Sequence, residues 1–370
     1  MTSLADTLDK MTVEGELYER LPDKAVRCYA CGHRCLIREG RRGICQVRFN
    51  QDGELRVPWG YVAALQADPV EKKPFFHVLP GTDALTFGML GCDFHCSYCQ
   101  NSLTSQAMRD PASDIAVSLV RRVSPEQMVT LALRNRAGIV ASSYNEPLIT
   151  SEWAVDIFRQ AQAAGLKCVY ISNGNATPEA LEYLRPYIVG YKIDLKSMQD
   201  RQYRRLGGVL DHVLQCIRMA HEAGLWVEVV TLVIPGFNDS NDELMDAARY
   251  IASVSRDIPW HVTAFHPDYK MQDTGYTPAS TLMRAAEIGQ EAGLNFVYAG
   301  NLPGQVGEYE NTYCPHCHAL LIERYSYVIR DYRITAQGNC PECGSQIPGV
   351  WAEQPESVRL GGLGMPRLVR

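Results

Sequence analysis

The chain lacks any run of 18 consecutive apolar residues, so it offers no stretch for a membrane-spanning helix. Its first twenty residues, Met1 to Arg20, are polar and partly acidic. They lack the apolar core of a secretory leader, which leads us to expect a cytoplasmic protein. Positive charge is not in excess: 36 Lys and Arg face 42 Asp and Glu, a net charge of −6, and nothing in that balance points to nucleic acid. The short basic stretches Arg38, Arg41 and Arg42, and Arg201, Arg204 and Arg205, read as solvated faces. No internal repeat or low-complexity segment stands out. With 46% apolar and 21% charged residues, the composition is that of a globular protein, and 370 residues suffice for one large domain with accessories.

Cysteine, by contrast, is abundant. Thirteen cysteines in a chain without a secretory leader argue for metal sites over disulfides. They fall into three groups: Cys28, Cys31, Cys35 and Cys45; Cys92, Cys96 and Cys99; Cys314, Cys317, Cys340 and Cys343. Cys168 and Cys216 stand alone in apolar segments and read as small hydrophobes. The C-terminal group forms two C-P-x-C knuckles around a β-rich stretch, a zinc-ribbon pattern. The N-terminal group, with Gly32, Gly40 and Gly43 for tight turns, suits either zinc or a second iron–sulfur cluster.

The middle group follows a hydrophobic run, Ala84 to Leu90, in Gly91-Cys-Asp-Phe-His-Cys-Ser-Tyr-Cys-Gln-Asn101. Three thiolates on one loop can ligate three irons of a [4Fe–4S] cube, whereas four cysteines are usual, so the fourth iron is left open. Read as zinc, the loop needs a fourth ligand, for which His95 would have to turn inward.

From residue 84 apolar strand-like runs (84–90, 138–143, 167–172, 188–194, 226–234, 260–265) alternate with amphipathic helical stretches (125–135, 151–164, 178–185, 209–223, 241–254). This alternation predicts βαβ units on a parallel sheet, a partial (β/α)6 barrel with a possible seventh strand at 295–299, and chemistry at the strand ends. Four segments are expected: 1–80 with the four-cysteine module, the barrel over 81–305, a zinc-ribbon-like module over 306–351, and a tail over 352–370. Strand ends carry Asn145-Glu146-Pro147, Ser172-Asn173-Gly174 and Lys192-Ile-Asp194-Leu-Lys196. Alternation puts Lys192, Asp194 and Lys196 on one side, and three charges on a buried strand need partners or a polar cavity. His266 ends the sixth run, and His261 falls at the strand start or points elsewhere.

The cysteine loop closely resembles the motif of the radical SAM (S-adenosylmethionine) superfamily. The runs Asp68-Pro-Val-Glu-Lys-Lys-Pro-Phe-Phe-His77, Tyr144-Asn-Glu-Pro147 and Val297-Tyr-Ala-Gly-Asn-Leu-Pro-Gly304 resemble its AmmeMemoRadiSam-system branch, related to pyruvate formate-lyase activating enzyme, over residues 25 to 351. The resemblance implies a [4Fe–4S] cluster on Cys92, Cys96 and Cys99, with SAM bound by its amino and carboxylate groups and cleaved reductively to a 5′-deoxyadenosyl radical. It implies that Asn145 and Glu146 meet the ammonium and that Asp194 meets the ribose. Lys196 and His266 would meet the carboxylate, and Ser172 and Asn173 would make polar contacts. Here Ser143 and Tyr144 replace the usual glycines before the Glu-Pro pair. The implied partners are a flavodoxin- or ferredoxin-type donor and Memo-like and AMMECR1-like proteins. Two alternatives remain at this point, an activator of a glycyl-radical enzyme and a zinc-only scaffold.

Overall fold

The computed structural model describes residues 3–369, apart from the side chains of 112–114. One nine-stranded sheet organises it. Strand β1 (Ala64–Pro69) runs antiparallel to β2 (Asp83–Gly88), and seven strands follow in parallel: β2, β3 (Ile139–Ser142), β4 (Lys167–Ser172), β5 (Gly190–Asp194), β6 (Trp226–Val233), β7 (Trp260–Ala264) and β8 (Val297–Gly300). Helices α1 (Pro125–Arg134), α2 (Ser151–Ala163), α3 (Pro178–Leu184), α4 (Leu210–Glu222), α5 (Asn241–Val254) and α6 (Ala279–Glu291) fill the six crossovers. The six expected units are therefore followed by a seventh parallel strand. The sheet is open, and Arg367–Leu368 pairs antiparallel with β1 at its other edge.

Local chemistry explains the boundaries. Ser124 and Gln127 form a reciprocal capping box on α1, with Pro125 in its first turn. Thr177 and Ser240 cap α3 and α5 through side-chain oxygens. Strands β2 and β3 are buried on both faces, as sheet layers covered by helices require.

Three regions add to what the sequence alone shows. Residues 3–21 hold the short helix Leu4–Asp9 and then the strands Thr12–Glu14 and Tyr18–Arg20. Asp68, in the charged run, is fully buried; Lys72 and Lys73 pair with it at 2.9 and 2.5 Å, and the Tyr144 hydroxyl donates to it. Beyond residue 351, Arg359 grips Asp83 bidentately at 2.7 and 2.8 Å and Arg367 adds a third contact at 2.6 Å, fastening the last residues to the start of β2.

The N-terminal region shares the main apolar core with the sheet. A buried pair pins it: Arg48 donates to both oxygens of Glu152 on α2, at 2.6 and 2.8 Å, and to the Ile149 carbonyl. The C-terminal module, strands Thr312–Tyr313, Leu320–Tyr325 and Val328–Tyr332, builds a smaller core with Phe76, Phe296 and Tyr298. Among the described residues no helix is long and apolar enough to cross a membrane.

Candidate functional site

The three-cysteine loop leaves the C-terminal end of β2. Gly91 sits at φ +98°, and a Cβ there would lie 2.9 Å from Val47 Cγ1 and 3.2 Å from the Cys45 carbonyl oxygen, so a side chain would be both strained and crowded. Cys96 is buried, and Cys92 and Cys99 are half-buried. The Phe94 amide donates to Cys92 Sγ at 3.3 Å, and Ser105 Oγ lies 3.1 Å from Cys99 Sγ. Burial pushes the Cys96 thiol up to about 12 and the Cys92 thiol well above its usual range. These groups therefore become thiolates by exchanging protons for metal.

Sulfur spacing separates this loop from the C-terminal cysteines. With bonds of about 2.3 Å, a tetrahedral ion holds its sulfurs about 3.8 Å apart. Cys314 and Cys343, and Cys317 and Cys340, are each 3.7 Å apart, and all four sulfurs lie within 4.8 Å. Among the described residues no other group of three or more ligand atoms is that compact, so the sulfurs of Cys92, Cys96 and Cys99 do not all converge on one ion. His95 does not complete a mononuclear site: it is exposed and packs over Gly207, where a Cβ would meet its Nδ1 at 2.4 Å. Three thiols set apart beside a cavity fit a multi-iron cluster with one uncapped iron.

That cavity, about 380 Å³, opens over the strand ends; Cys96, Cys99, Lys192, Asp194, Lys196 and Tyr144 are among its walls. Asp194 pairs with Lys192 and, at 3.2 Å, with Lys196. Burial opposes its ionisation, but the two ammonium groups hold its carboxyl down at about 2. Against burial, Asp194 and the nearby Cys96 raise Lys196 well above the ordinary lysine range. Permanent charges of both signs thus face the cavity beside two cluster cysteines, and this donor set suits a zwitterion such as SAM.

Glu146 lies elsewhere. It is buried and is not among the cavity walls; it accepts from Ser172 Oγ at 2.7 Å and from the amides of Asn173 at 2.8 Å and Leu148 at 3.1 Å. Burial, then the neighbouring Asp93, push its carboxyl up to about 8. Asn173 and Asn175 donate to the two oxygens of Asp93, at 2.7 and 2.8 Å. Glu146, Ser172 and Asn173 are therefore brought together as one polar network behind the loop. Asn145 supports the exit of β2, accepting from the Met89 amide at 3.0 Å. His266 is largely exposed, and its Nε2 lies 3.1 Å from the side-chain nitrogen of Gln100, which lines the cavity.

Sequence reasoning missed Asp93, Asn175, Glu71 and the Glu228–His261 pair. Of the two expectations for His261 the strand start holds, since β7 begins at Trp260, and the side chain lines the cavity instead of pointing elsewhere. The register puts Asp194, Val230, His261 and Tyr298 in one row. Strand β7 ends at Ala264, so alternation counted back from His266 fails across the strand end. Glu228 accepts from His261 Nε2 at 2.6 Å and from the amides of Phe76 and His77, locking the run Asp68–His77 over the sheet. Only contacts between distant strands reveal this role.

A largely parallel α/β sheet with an iron-suited three-cysteine loop beside a doubly charged cavity at its strand ends has the make-up of an iron–sulfur enzyme. Comparison with known proteins agrees. Residues 87–251 match the model of the radical SAM superfamily. An uncharacterized protein of Methanocaldococcus jannaschii is 38% identical over 337 residues, covering 90% of this chain and 98% of that one. The isethionate sulfite-lyase activating enzyme of Oleidesulfovibrio alaskensis is 25% identical, over 48% of this chain and 59% of its own. The pyruvate formate-lyase-activating enzyme of Staphylococcus aureus is 24% identical, over 50% and 76%. The chain belongs to the radical SAM superfamily, with homology to the activating-enzyme-like members, and the family implies a [4Fe–4S] cluster and SAM.

Proposed function

We propose that this chain cleaves SAM at a cluster held by Cys92, Cys96 and Cys99 and uses the resulting radical to take hydrogen from a small molecule, within the Memo- and AMMECR1-associated system. One observation carries the reading: Asp194 and Lys196 share a cavity with Cys96 and Cys99. When bound, the cluster supplies the electron that divides SAM into methionine and the 5′-deoxyadenosyl radical. Lys196 holds the carboxylate, Asp194 the ribose, and His266, through Gln100, the rim of the same end. Asn145, Glu146, Ser172 and Asn173 keep the backbone around the loop in place from behind the cavity. Apolar walls such as Leu232 and Phe76 exclude water from the reacting centre.

A small molecule is favoured over a glycyl-radical protein by what closes the cavity. Tyr327 from the C-terminal module and the segment Glu71–Pro74 both wall it, leaving a compact chamber. The four C-terminal cysteines hold zinc in this reading, since their spacing is that of one tetrahedral ion and all four positions are filled. Product analysis tests the proposal. Anaerobic protein, dithionite, SAM and the Memo-like and AMMECR1-like partners should yield 5′-deoxyadenosine together with a modified small molecule. A stable glycyl radical on an added partner would replace this with the activating-enzyme reading, and absence of labile sulfide would leave only a zinc scaffold.

A further inference from the structure

Cys28, Cys31 and Cys45 are buried and Cys35 is half-buried. The backbone gathers them: the Cys28 amide donates to the Cys35 carbonyl at 3.0 Å, the Arg34 amide to the Cys31 carbonyl at 3.0 Å, and Ile44, beside Cys45, reaches Cys35. Yet no three of the four sulfurs lie within 4.8 Å of one another, in contrast to the collapsed C-terminal set, so a polynuclear centre fits them better than one ion. The Ile44 amide donates to Cys35 Sγ at 3.5 Å, the kind of contact that tunes cluster sulfurs.

This loop is pressed onto the SAM loop. Arg109 donates to the carbonyls of both Ile44 and Phe94. The Cys45 carbonyl abuts Gly91, next to Cys92. The Gly32 amide donates to the Asn175 carbonyl at 2.7 Å, and the Asn175 side chain donates to Asp93, whose Oδ1 lies 3.8 Å from Cys92 Sγ. On the outer side, Leu36 and Ile44 are exposed beside exposed Arg38, Glu39 and Arg41, an apolar patch whose rim carries two positive charges and one negative.

We propose that Cys28, Cys31, Cys35 and Cys45 carry a second, fully ligated [4Fe–4S] cluster that relays single electrons to the three-cysteine site from a low-potential ferredoxin- or flavodoxin-type donor with an acidic face. In each relay the donor loses one electron, the second cluster gains and returns it, and the first cluster ends reduced by one; no bond is made or broken. The relay rests on the cluster assignment at Cys92, Cys96 and Cys99, but occupancy of the second site is measured independently of it.

The triple variant Cys92→Ala, Cys96→Ala, Cys99→Ala, reconstituted anaerobically, should retain about four irons and four sulfides per chain and an EPR signal indifferent to SAM. Zinc in place of that iron, or no sulfide, overturns the proposal. In the pair Cys31→Ala and Cys45→Ala, total iron should fall by about half from the wild-type level of about eight. The ratio of flavodoxin-driven to dithionite-driven SAM cleavage should fall at least tenfold, because dithionite reaches the first cluster directly. An unchanged ratio overturns the relay. A wild-type protein that holds both clusters but never cleaves SAM would sink the proposed function while leaving the second cluster standing.

Discussion

The two ends of the chain hold their cysteines in opposite ways. The C-terminal four are gathered at tetrahedral spacing around a small β core, with Cys317 and Cys343 exposed. The three on the β2 loop are spread apart, with Cys96 and Cys99 at the wall of a charged cavity that Lys196 and Asp194 share. A closed set spends every ligand position on folding, whereas an open set keeps one for chemistry. The same residue type thus serves two ends, and spacing together with surroundings separates them.

The largest effect should come from breaking the open site alone. Cys96→Ala should lose the iron of that cluster and all SAM cleavage while the C-terminal metal stays bound; metal analysis and 5′-deoxyadenosine assay of one preparation decide this. Cys340→Ser should do the reverse. Structural metal affinity is folding energy, so the segment from about residue 312 to 350 should become protease-sensitive while the iron on Cys92, Cys96 and Cys99 remains. Loss of that iron too would make the C-terminal module part of the catalytic core.

The cavity itself can be probed by pH. Burial pushes Glu71, a cavity wall whose Oε2 has no partner, up to about 7 from 4.5. The folded protein thus keeps a proton that the unfolded chain has released. Stability from this group is present below pH 4.5 and lost as pH rises through 7, by about 3 kcal/mol at most. Glu71→Gln should flatten that part of the melting profile between pH 4.5 and 7.5; an unchanged profile would assign the slope to other groups. The smallest effect concerns the SAM clamp. Charge-assisted hydrogen bonds contribute about 1.5–3 kcal/mol, so Lys196→Ala, at the cavity wall, should weaken SAM binding by about ten- to a hundredfold, and Glu146→Gln probes the network behind the loop. If only Lys196→Ala does so, Glu146 serves the loop and not the ligand.

Strand and helix positions were legible because apolar runs and amphipathic periods are local signals. The helix 241–254 matches its expectation residue for residue, and so does the strand 167–172. The expected Lys192–Asp194–Lys196 face was legible from alternation, and the model places all three on the cavity wall. Other features are set by contacts between residues far apart in sequence. Arg367 reaches back to Asp83, Glu228 collects Phe76, His77 and His261, and Asn173 and Asn175 converge on Asp93. No periodicity records such contacts, so β1, the edge strand Arg367–Leu368 and the inward turn of His261 were not readable beforehand.

The most direct test of the open site is hyperfine spectroscopy of the reduced cluster with SAM labelled at its amino nitrogen and carboxylate oxygens. This account predicts coupling of both labels to the cluster in the wild type and in Cys340→Ser, and none in Cys96→Ala. A reduced cluster with full iron occupancy in the wild type and no coupling to either label would contradict it.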